Sequence, residues 1–500
     1  MTFSAPPAVK PSGLYSPWAS PPHSSATSKE GATTVVPLIV DVDGTLHRGD
    51  LLLEGLVQVG FGPTKHWLSV VRAALRGRRA LKDRVAELAP LRADTLPWNH
   101  AVRDRINVAL NENRPVLLAS GAAPVWVGEI AQYLGVGTVD APGDVNLVGS
   151  EKLRVIESQH PTFDYIGNAR VDLPLWRRAR RPIAANASAG CLRTLKKARP
   201  DAESIGESAG RLKTILRAMR PHQWSKNLLM FLPALAAHLA PTMGNITRHL
   251  LAFFAFSACA SAIYILNDLS DLPHDRAHPR KARRPIAAGT LPIPAAVGLF
   301  AALVLVSAVL SSMVGGFFPL FLVAYAALSL SYVFALKRRL LVDVVVLALL
   351  YASRVVAGAS VASVPLSRWF IAFTVFLFFS LAVAKRVAEL QALASRGAGR
   401  APGRAYAIED ITPLISLGCA AATASCLVFC LWAAAPETTV AYRRPDLLLV
   451  ALPLLLYWHA RIWVFVGRQA LEDDPVAFAI RDRVSLAVGV IFVLFIVAAH

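Results

Sequence analysis

Two hydrophobic patterns divide the chain. From Trp224 onward, long apolar runs alternate with short polar loops at about 224–240, 248–266, 291–312, 315–336, 340–361, 368–385, 411–435, 446–467 and 484–499. Each run approaches the ~20 residues that a helix needs to cross a bilayer, which predicts nine transmembrane helices. Before residue 215 the apolar runs are short. Val35–Val40 reads as a buried strand, the runs Arg114–Ala119 and Phe163–Gly167 read as further strands, and Trp67–Leu75 and Val85–Leu91 carry helical spacing. The pattern predicts two domains: an N-terminal Rossmann-like α/β domain and a C-terminal all-α polytopic bundle.

Composition sharpens this division. The 500 residues are 55% hydrophobic and 17% charged, with a mean hydropathy of +0.47. That excludes a wholly soluble enzyme and a largely disordered chain. The net charge of +19 is unevenly placed. Arg276, Arg280, Lys281, Arg283 and Arg284, then Lys337–Arg339, then Lys385, Arg386, Arg396, Arg400 and Arg404, then Arg468, Arg481 and Arg483 fall in alternate loops. The opposite loops hold Arg248, Arg368, Arg443 and Arg444. By the positive-inside rule the first set is cytoplasmic, as is the N-terminal domain, in a multi-pass protein of the inner (cell) membrane. The five cysteines show no metal-ligand spacing, and four lie in apolar runs. Residues 1–32 read as a Pro/Ser-rich tail without a signal-peptide core. Residues 33–200 form the soluble domain, 201–215 a basic linker suited to an anionic leaflet, and 216–500 the membrane domain. No aromatic-interleaved basic platform or recognition motif points to nucleic acid.

The densest polar motif is Asn267-Asp268-Leu-Ser-Asp271-Leu-Pro-His-Asp275, continuing to Lys281 and Arg284. Asn267, Asp271 and Asp275 repeat every four residues and share a helix face. Like groups so placed repel unless a cation lies between them, and hard oxygen donors suit Mg²⁺ shared with a substrate phosphate. The plainer alternative is a solvated helix end. Asp343, Tyr351 and Arg354 share one face of a later span, as a functional set or a structural Asp–Arg pair, and Lys337 precedes them. Arg220 and Lys226 open the first run in Arg-Pro-His-Gln-Trp-Ser-Lys-Asn, where Trp224 and Lys226 could instead be interface anchors.

These motifs, with nine spans, resemble the UbiA-type intramembrane prenyltransferase superfamily over about residues 211–500. Lys385–Leu390 and Asp473–Ser485 resemble its phosphoribosyltransferase branch. The resemblance implies a diphosphate bound through Mg²⁺ between two facing acidic motifs. The first maps onto Asn267, Asp271 and Asp275. The second usually carries two carboxylates four apart, but Leu347 follows Asp343 at that spacing, which suits the phosphoribosyl branch. The implied partners are a polyprenyl phosphate in the bilayer and a soluble pyrophosphate donor. The alternative is transfer of a polyprenyl group from its diphosphate to an aromatic acceptor. Oligomeric state is left open.

In the soluble half, β-type Val35–Val40 ends at Asp41-Val-Asp43-Gly44-Thr45. Two carboxylates at i and i+2 past a strand end place an oxygen nucleophile beside an acid. Ser120, Lys152 and the Gly167-Asn168-Ala-Arg-Val-Asp172 loop follow. Together these resemble the haloacid-dehalogenase superfamily of phosphatases, with a helical cap at about 50–110. The resemblance implies Asp41 as nucleophile, Asp43 as general acid/base, Ser120 as phosphate ligand and Lys152 as charge stabiliser. Mg²⁺ would be held by Asp41, Asp43, Asn168 and Asp172. Asn168 stands where that family usually has an Asp, which lowers metal affinity and leaves an impaired or regulatory phosphatase as the alternative. An active one would take the 5-phosphate from the phosphoribosyl lipid.

Overall fold

The computed structural model describes residues 35–141, 147–206, 210–395, 397, 404–471 and 475–499. The expected tail, Arg396, Arg400 and Asp473 lie outside them.

Six parallel strands form the soluble sheet in the order β3-β2-β1-β4-β5-β6. They are β1 Leu38–Val40, β2 Val116–Leu118, β3 Gly137–Thr138, β4 Asp164–Gly167, β5 Pro182–Ala185 and β6 Glu203–Ile205. The central β1 pairs with β2 on one side and β4 on the other. That arrangement makes the carboxyl end of β1 a switch point, where open α/β sheets form a crevice. Leu38, Ile39 and Val40 are buried on both faces, as a parallel strand covered by helices requires. Val40, Leu118 and Ile166 pack one way with Val85 and Trp126, while Ile39, Ala119 and Tyr165 pack the other way with Trp176 and Leu195. Three helices, α1 Leu51–Gly60, α2 Lys65–Leu75 and α3 Arg78–Leu88, are inserted after β1. The sheet also reaches beyond residue 200: β6 pairs with β5 where a linker was expected. This three-residue edge strand has only Ile205 as an apolar side chain, too little to show as a run.

Among the described residues, six helices are long and apolar enough to cross a membrane: Met243–Ser270, Ile293–Val314, Val342–Ala362, Arg368–Ala394, Ile408–Ala433 and Asp446–Gly467. Phe318–Phe334 and Arg483–Ala499 are shorter and also apolar. The expected count of nine is therefore corrected. Residues 224–240 do not form one helix; Pro221–Phe231 is a run of 3₁₀ turns, followed by the five-residue helix Leu232–Ala236. Proline lacks an N–H donor, and Pro233 and Pro241 limit any continuous ladder here. The segment lies against Val342–Ala362 at Gly358, where an added Cβ would stand 2.0 Å from the Met230 carbonyl oxygen.

The soluble domain docks on the bundle end that carries the acidic motif. Val57 of α1 joins an apolar cluster with Ala218, Ile265, Leu269 and Leu272. Phe61 stacks on Phe334 with ring centroids 5.9 Å apart.

Candidate active sites

The acidic motif starts in the last turn of Met243–Ser270 and continues through Asp271 into Leu272–Ala277. The Asp271 N–H donates to the Asn267 carbonyl at 2.9 Å and that of Asp275 to Asp271 at 2.8 Å. The helical path is thus maintained, and positions 268, 271 and 275 share a face. Arg220 Nη2 lies 2.5 and 2.7 Å from the two oxygens of buried Asp268. Arg284 Nη1 lies 3.0 Å from Asp268 and 2.6 Å from Asp275. Lys337 Nζ is 3.0 Å from both Asp271 oxygens. Burial pushes the Asp275 carboxyl up; Arg284 opposes that and the charge of Asp268 adds to it.

This donor set fits a divalent cation. One positive nitrogen of Arg284 sits between two carboxylates, and hard oxygen ligands are what Mg²⁺ takes. Among the described residues, no three His, Cys, Asp or Glu side chains already converge on one point; the carboxylates face cationic groups. The Asn267 side chain makes no hydrogen bond among the described residues, and its neighbour Asp268 joins the cluster instead.

The expected Asp343–Tyr351–Arg354 set divides in two. Asp343 is bound by Arg386 Nε at 2.6 Å, Arg404 Nη1 at 3.2 Å and the Tyr406 hydroxyl. Arg386 also donates to Glu389 at 2.5 Å and to the Tyr332 hydroxyl at 3.1 Å. Arg386, read from the sequence as a loop cation, is instead buried within Arg368–Ala394. Arg354 donates from Nε to Asn227 Oδ1 at 3.0 Å and from Nη2 to the Tyr325 hydroxyl at 3.2 Å. Its guanidinium lies 5.5 Å from the Tyr351 ring centre, and Lys226 Nζ lies 5.4 Å from the same centre. Arg354 is therefore not the partner of Asp343. Lys281 feels the charges of both groups: desolvation and the charges of Arg284 and Arg404 lower its pKa, against Asp275 and Glu389.

In the soluble domain, Asp41, Ser120 and Asn168 follow the adjacent strands β1, β2 and β4. Lys152 Nζ lies 2.6 Å from Asp41 Oδ1 and donates to the Tyr165 hydroxyl at 3.0 Å. Thr45 Oγ1 donates to Asp41 Oδ2 at 3.0 Å. Burial raises the Asp41 pKa, which Lys152 opposes. Asp43 accepts the Leu51 N–H at 2.9 Å, yet burial pushes its carboxyl up to about 7. Gly44 has φ +74°, and a Cβ there would lie 2.0 Å from Asn168 Nδ2, so only glycine fits under that amide. Ser120 lines a cavity of about 350 Å³ with Arg78 and Lys82 of α3.

Asp172, expected as a metal ligand, has both carboxylate oxygens engaged within the protein. Its Oδ1 accepts from the Tyr165 hydroxyl at 2.8 Å, and its Oδ2 accepts from the Asn168 and Ala169 N–H groups at 3.1 and 3.0 Å. A carboxylate so engaged orients the loop and Tyr165, and through Tyr165 the Lys152 ammonium.

The profile of the UbiA prenyltransferase family matches residues 228–487, just over half of the chain. The chain belongs to that family. It is a multi-pass membrane transferase of the UbiA type. The chain is 33% identical over 461 residues to the uncharacterized protein y4nM of Sinorhizobium fredii, covering 91% of this chain and 89% of that one. It is 33% identical over 289 residues to the nodulation protein NoeC of Azorhizobium caulinodans, covering 56% of this chain and 94% of that one. Decaprenyl-phosphate phosphoribosyltransferase of Mycobacterium tuberculosis is 36% identical over 227 residues, covering 44% of this chain and 73% of that one. A UbiA homolog from Archaeoglobus fulgidus, solved with GPP and Mg²⁺, aligns with TM-score 0.44 and 16% identity over 57% of this chain and 98% of that one.

Several residues of the candidate membrane site escape sequence reasoning. Asp268 carried a usable signal, since 268, 271 and 275 follow the i, i+3, i+7 spacing of one helix face. Arg404, Tyr406 and Tyr325 carried none, because they reach their partners across 29 to 63 residues of chain.

Proposed function

We propose that this UbiA-family protein transfers a phosphoribosyl group from phosphoribosyl pyrophosphate to a polyprenyl phosphate and releases pyrophosphate on the cytoplasmic side of the inner membrane. The observation that carries this reading is the asymmetry of the two facing charge clusters. Asp268, Asp271 and Asp275 form one acidic pole. Across from it Asp343 has Leu347 where a second carboxylate four residues on would stand, and it is held with Glu389 by Arg386 and Arg404, and by Tyr406. A second motif that lacks the carboxylate pair on its own helix, with Asp343 neutralised by Arg386 and Arg404, suits a phosphoribosyl donor better than a prenyl diphosphate held between two metal-binding motifs. The similarity to decaprenyl-phosphate phosphoribosyltransferases supports the same reading.

In this scheme a phosphate oxygen of the polyprenyl phosphate attacks C1 of the ribose, and the C1–O bond to pyrophosphate breaks. Asp268, Asp271 and Asp275 would hold Mg²⁺, which supplies positive charge to the departing pyrophosphate. Arg220, Lys281, Arg284 and Lys337 bind the remaining phosphate oxygens, with preorganised charge where negative charge develops. Lys226 and Arg354, packed on Tyr351, lie along the bundle interior and receive the acceptor phosphate, while the lipid tail follows the apolar helices.

The soluble domain is read as a phosphatase of haloacid-dehalogenase type acting on the 5-phosphate of the product. Asp41 attacks phosphorus to give an aspartyl phosphate, Lys152 offsets the charge, Ser120 binds the phosphate, and protonated Asp43 delivers its proton to the leaving alkoxide; ionised Asp43 then takes a proton from water, which attacks the aspartyl phosphate, releases inorganic phosphate and restores both groups. Asn168 in place of a carboxylate weakens the Mg²⁺ site there.

The test is direct. Purified protein with polyprenyl phosphate, labelled phosphoribosyl pyrophosphate and Mg²⁺ should yield a labelled lipid, and Asp41→Asn should accumulate its phosphorylated form. Reaction only with a prenyl diphosphate and an aromatic acceptor would overturn the transferase assignment.

A further inference from the structure

One ion pair joins the soluble domain to the acidic motif, and neither partner belongs to the chemistry assigned above. Arg276 Nη1 and Nη2 each lie 2.6 Å from a different oxygen of Glu54 on α1. The two side chains are 6% and 5% exposed. His47 Nε2 lies 3.0 Å from the same carboxylate. Burial alone would raise the Glu54 pKa, but His47 and Arg276 pull it down to about 2, so the charge persists across the neutral range. Arg276 Nε also donates to the Ala287 carbonyl at 3.1 Å. A single guanidinium thus ties α1 to both ends of the loop 271–291. At Gly289 in that loop an added Cβ would stand 2.7 Å from Arg48 Cβ, so the contact is close along its length.

Arg276 immediately follows Asp275. Arg220, Arg284 and Lys337 already sit on the carboxylates of the motif. A fourth cation freed in the same loop would compete with a divalent ion for those oxygens, because a buried charge that loses its partner seeks another. We propose that Glu54 is a positioning residue for the transferase site. Through Arg276 it fixes the loop 271–291 and keeps a competing guanidinium off Asp268, Asp271 and Asp275. The soluble domain is then a working part of the membrane site, whatever its own catalysis. This inference rests on the acidic motif being the pyrophosphate site.

The experiment uses the full-length protein in detergent, with two readouts: calorimetric binding of inorganic pyrophosphate with Mg²⁺, and amide hydrogen exchange across residues 272–291. The isosteric Glu54→Gln change should weaken binding about tenfold, equivalent to about 1.4 kcal/mol, and speed exchange in the loop. The neutral double variant Glu54→Gln/Arg276→Gln should bind more tightly than the single variant, because the competitor is gone, while its loop exchanges at least as fast, because the anchor is gone too. Unchanged binding and exchange in Glu54→Gln would overturn the proposal, as would a double variant as weak as the single. If the wild-type protein itself binds no pyrophosphate, the site assignment fails separately. In that case the positioning role falls with it, whereas pyrophosphate binding by wild type together with unchanged binding and exchange in Glu54→Gln sinks this proposal alone.

Discussion

Arg386 Nε lies 2.6 Å from Asp343 Oδ2, with side-chain exposures of 2% and 0%. The pair joins Val342–Ala362 to Arg368–Ala394 inside the bundle, where an unpaired charge is costly. Removing one partner should therefore cost far more than a surface pair would. Arg386→Met is expected to destabilise the protein by about 3–5 kcal/mol, with Arg386→Lys intermediate because it lacks the forked geometry. Thermal unfolding in detergent measures this; a melting point equal to wild type would show that Arg404 and Tyr406 alone satisfy Asp343.

Asp268 and Asn267 are neighbours with different surroundings, which separates their roles. Asp268→Asn should lower the transferase rate about 10²-fold or more, the scale seen when a preorganised charge is lost from a reacting site. Asn267→Ala should cost less than that. Chelation of divalent cations should abolish turnover and added Mg²⁺ should restore it. Initial rates at saturating lipid check each outcome.

Asp43 gives the soluble domain a pH signature. Its folded pKa, pushed up to about 7, lies above the ordinary value of about 3.9. The protonated form is therefore favoured in the fold. Its stabilising contribution is complete below about pH 4 and lost as pH rises through about 7. Relative to wild type, Asp43→Asn should gain thermal stability between pH 4 and 7 and plateau above. A difference that is flat across that window would contradict the raised pKa. The phosphatase rate should fall above pH 7 as the proton donor ionises.

Gly358 sits where the Pro221–Phe231 turns meet the bundle. A Cβ there would press within 2.0 Å of the Met230 carbonyl oxygen, and backbone cannot step aside as a side-chain tip can. Gly358→Ala should cost about 1–3 kcal/mol or more and weaken acceptor binding, since Lys226 and Asn227 ride on the displaced segment. Thermal unfolding and the KM for polyprenyl phosphate report the two effects. An unaltered KM would place the acceptor elsewhere.

Much of this architecture is legible locally. Parallel strands buried on both faces read as unbroken apolar runs, so Val35–Val40 and the loop Asp41–Thr45 stand out. Membrane helices read as runs of fixed length, and eight of the nine expected runs correspond to observed helices. The failure at 224–240 has a physical cause: hydropathy counts apolar residues but not the missing donors of Pro233 and Pro241. The edge strand β6 was missed for the opposite reason, having too few apolar residues to register.

The candidate sites divide along the same line. The gathering of carboxylates within one or two helical turns, as at Asp271 and Asp275, is set by periodicity, whereas the place of Asp268 beside them in the cluster is shown by its contacts with Arg220 and Arg284. Pairings across the bundle are not set by periodicity. Arg354 shares a helix face with Asp343, and only the packing of neighbouring helices gives Arg354 to Asn227 and Tyr325 and gives Arg386 to Asp343. Likewise Glu54 meets Arg276 across 222 residues of chain, a contact no local pattern encodes. Local spacing determined which groups could act together; which cation each acid actually holds depended on the three-dimensional docking of helices and domains, because charge pairing is a property of distance in space and not along the chain.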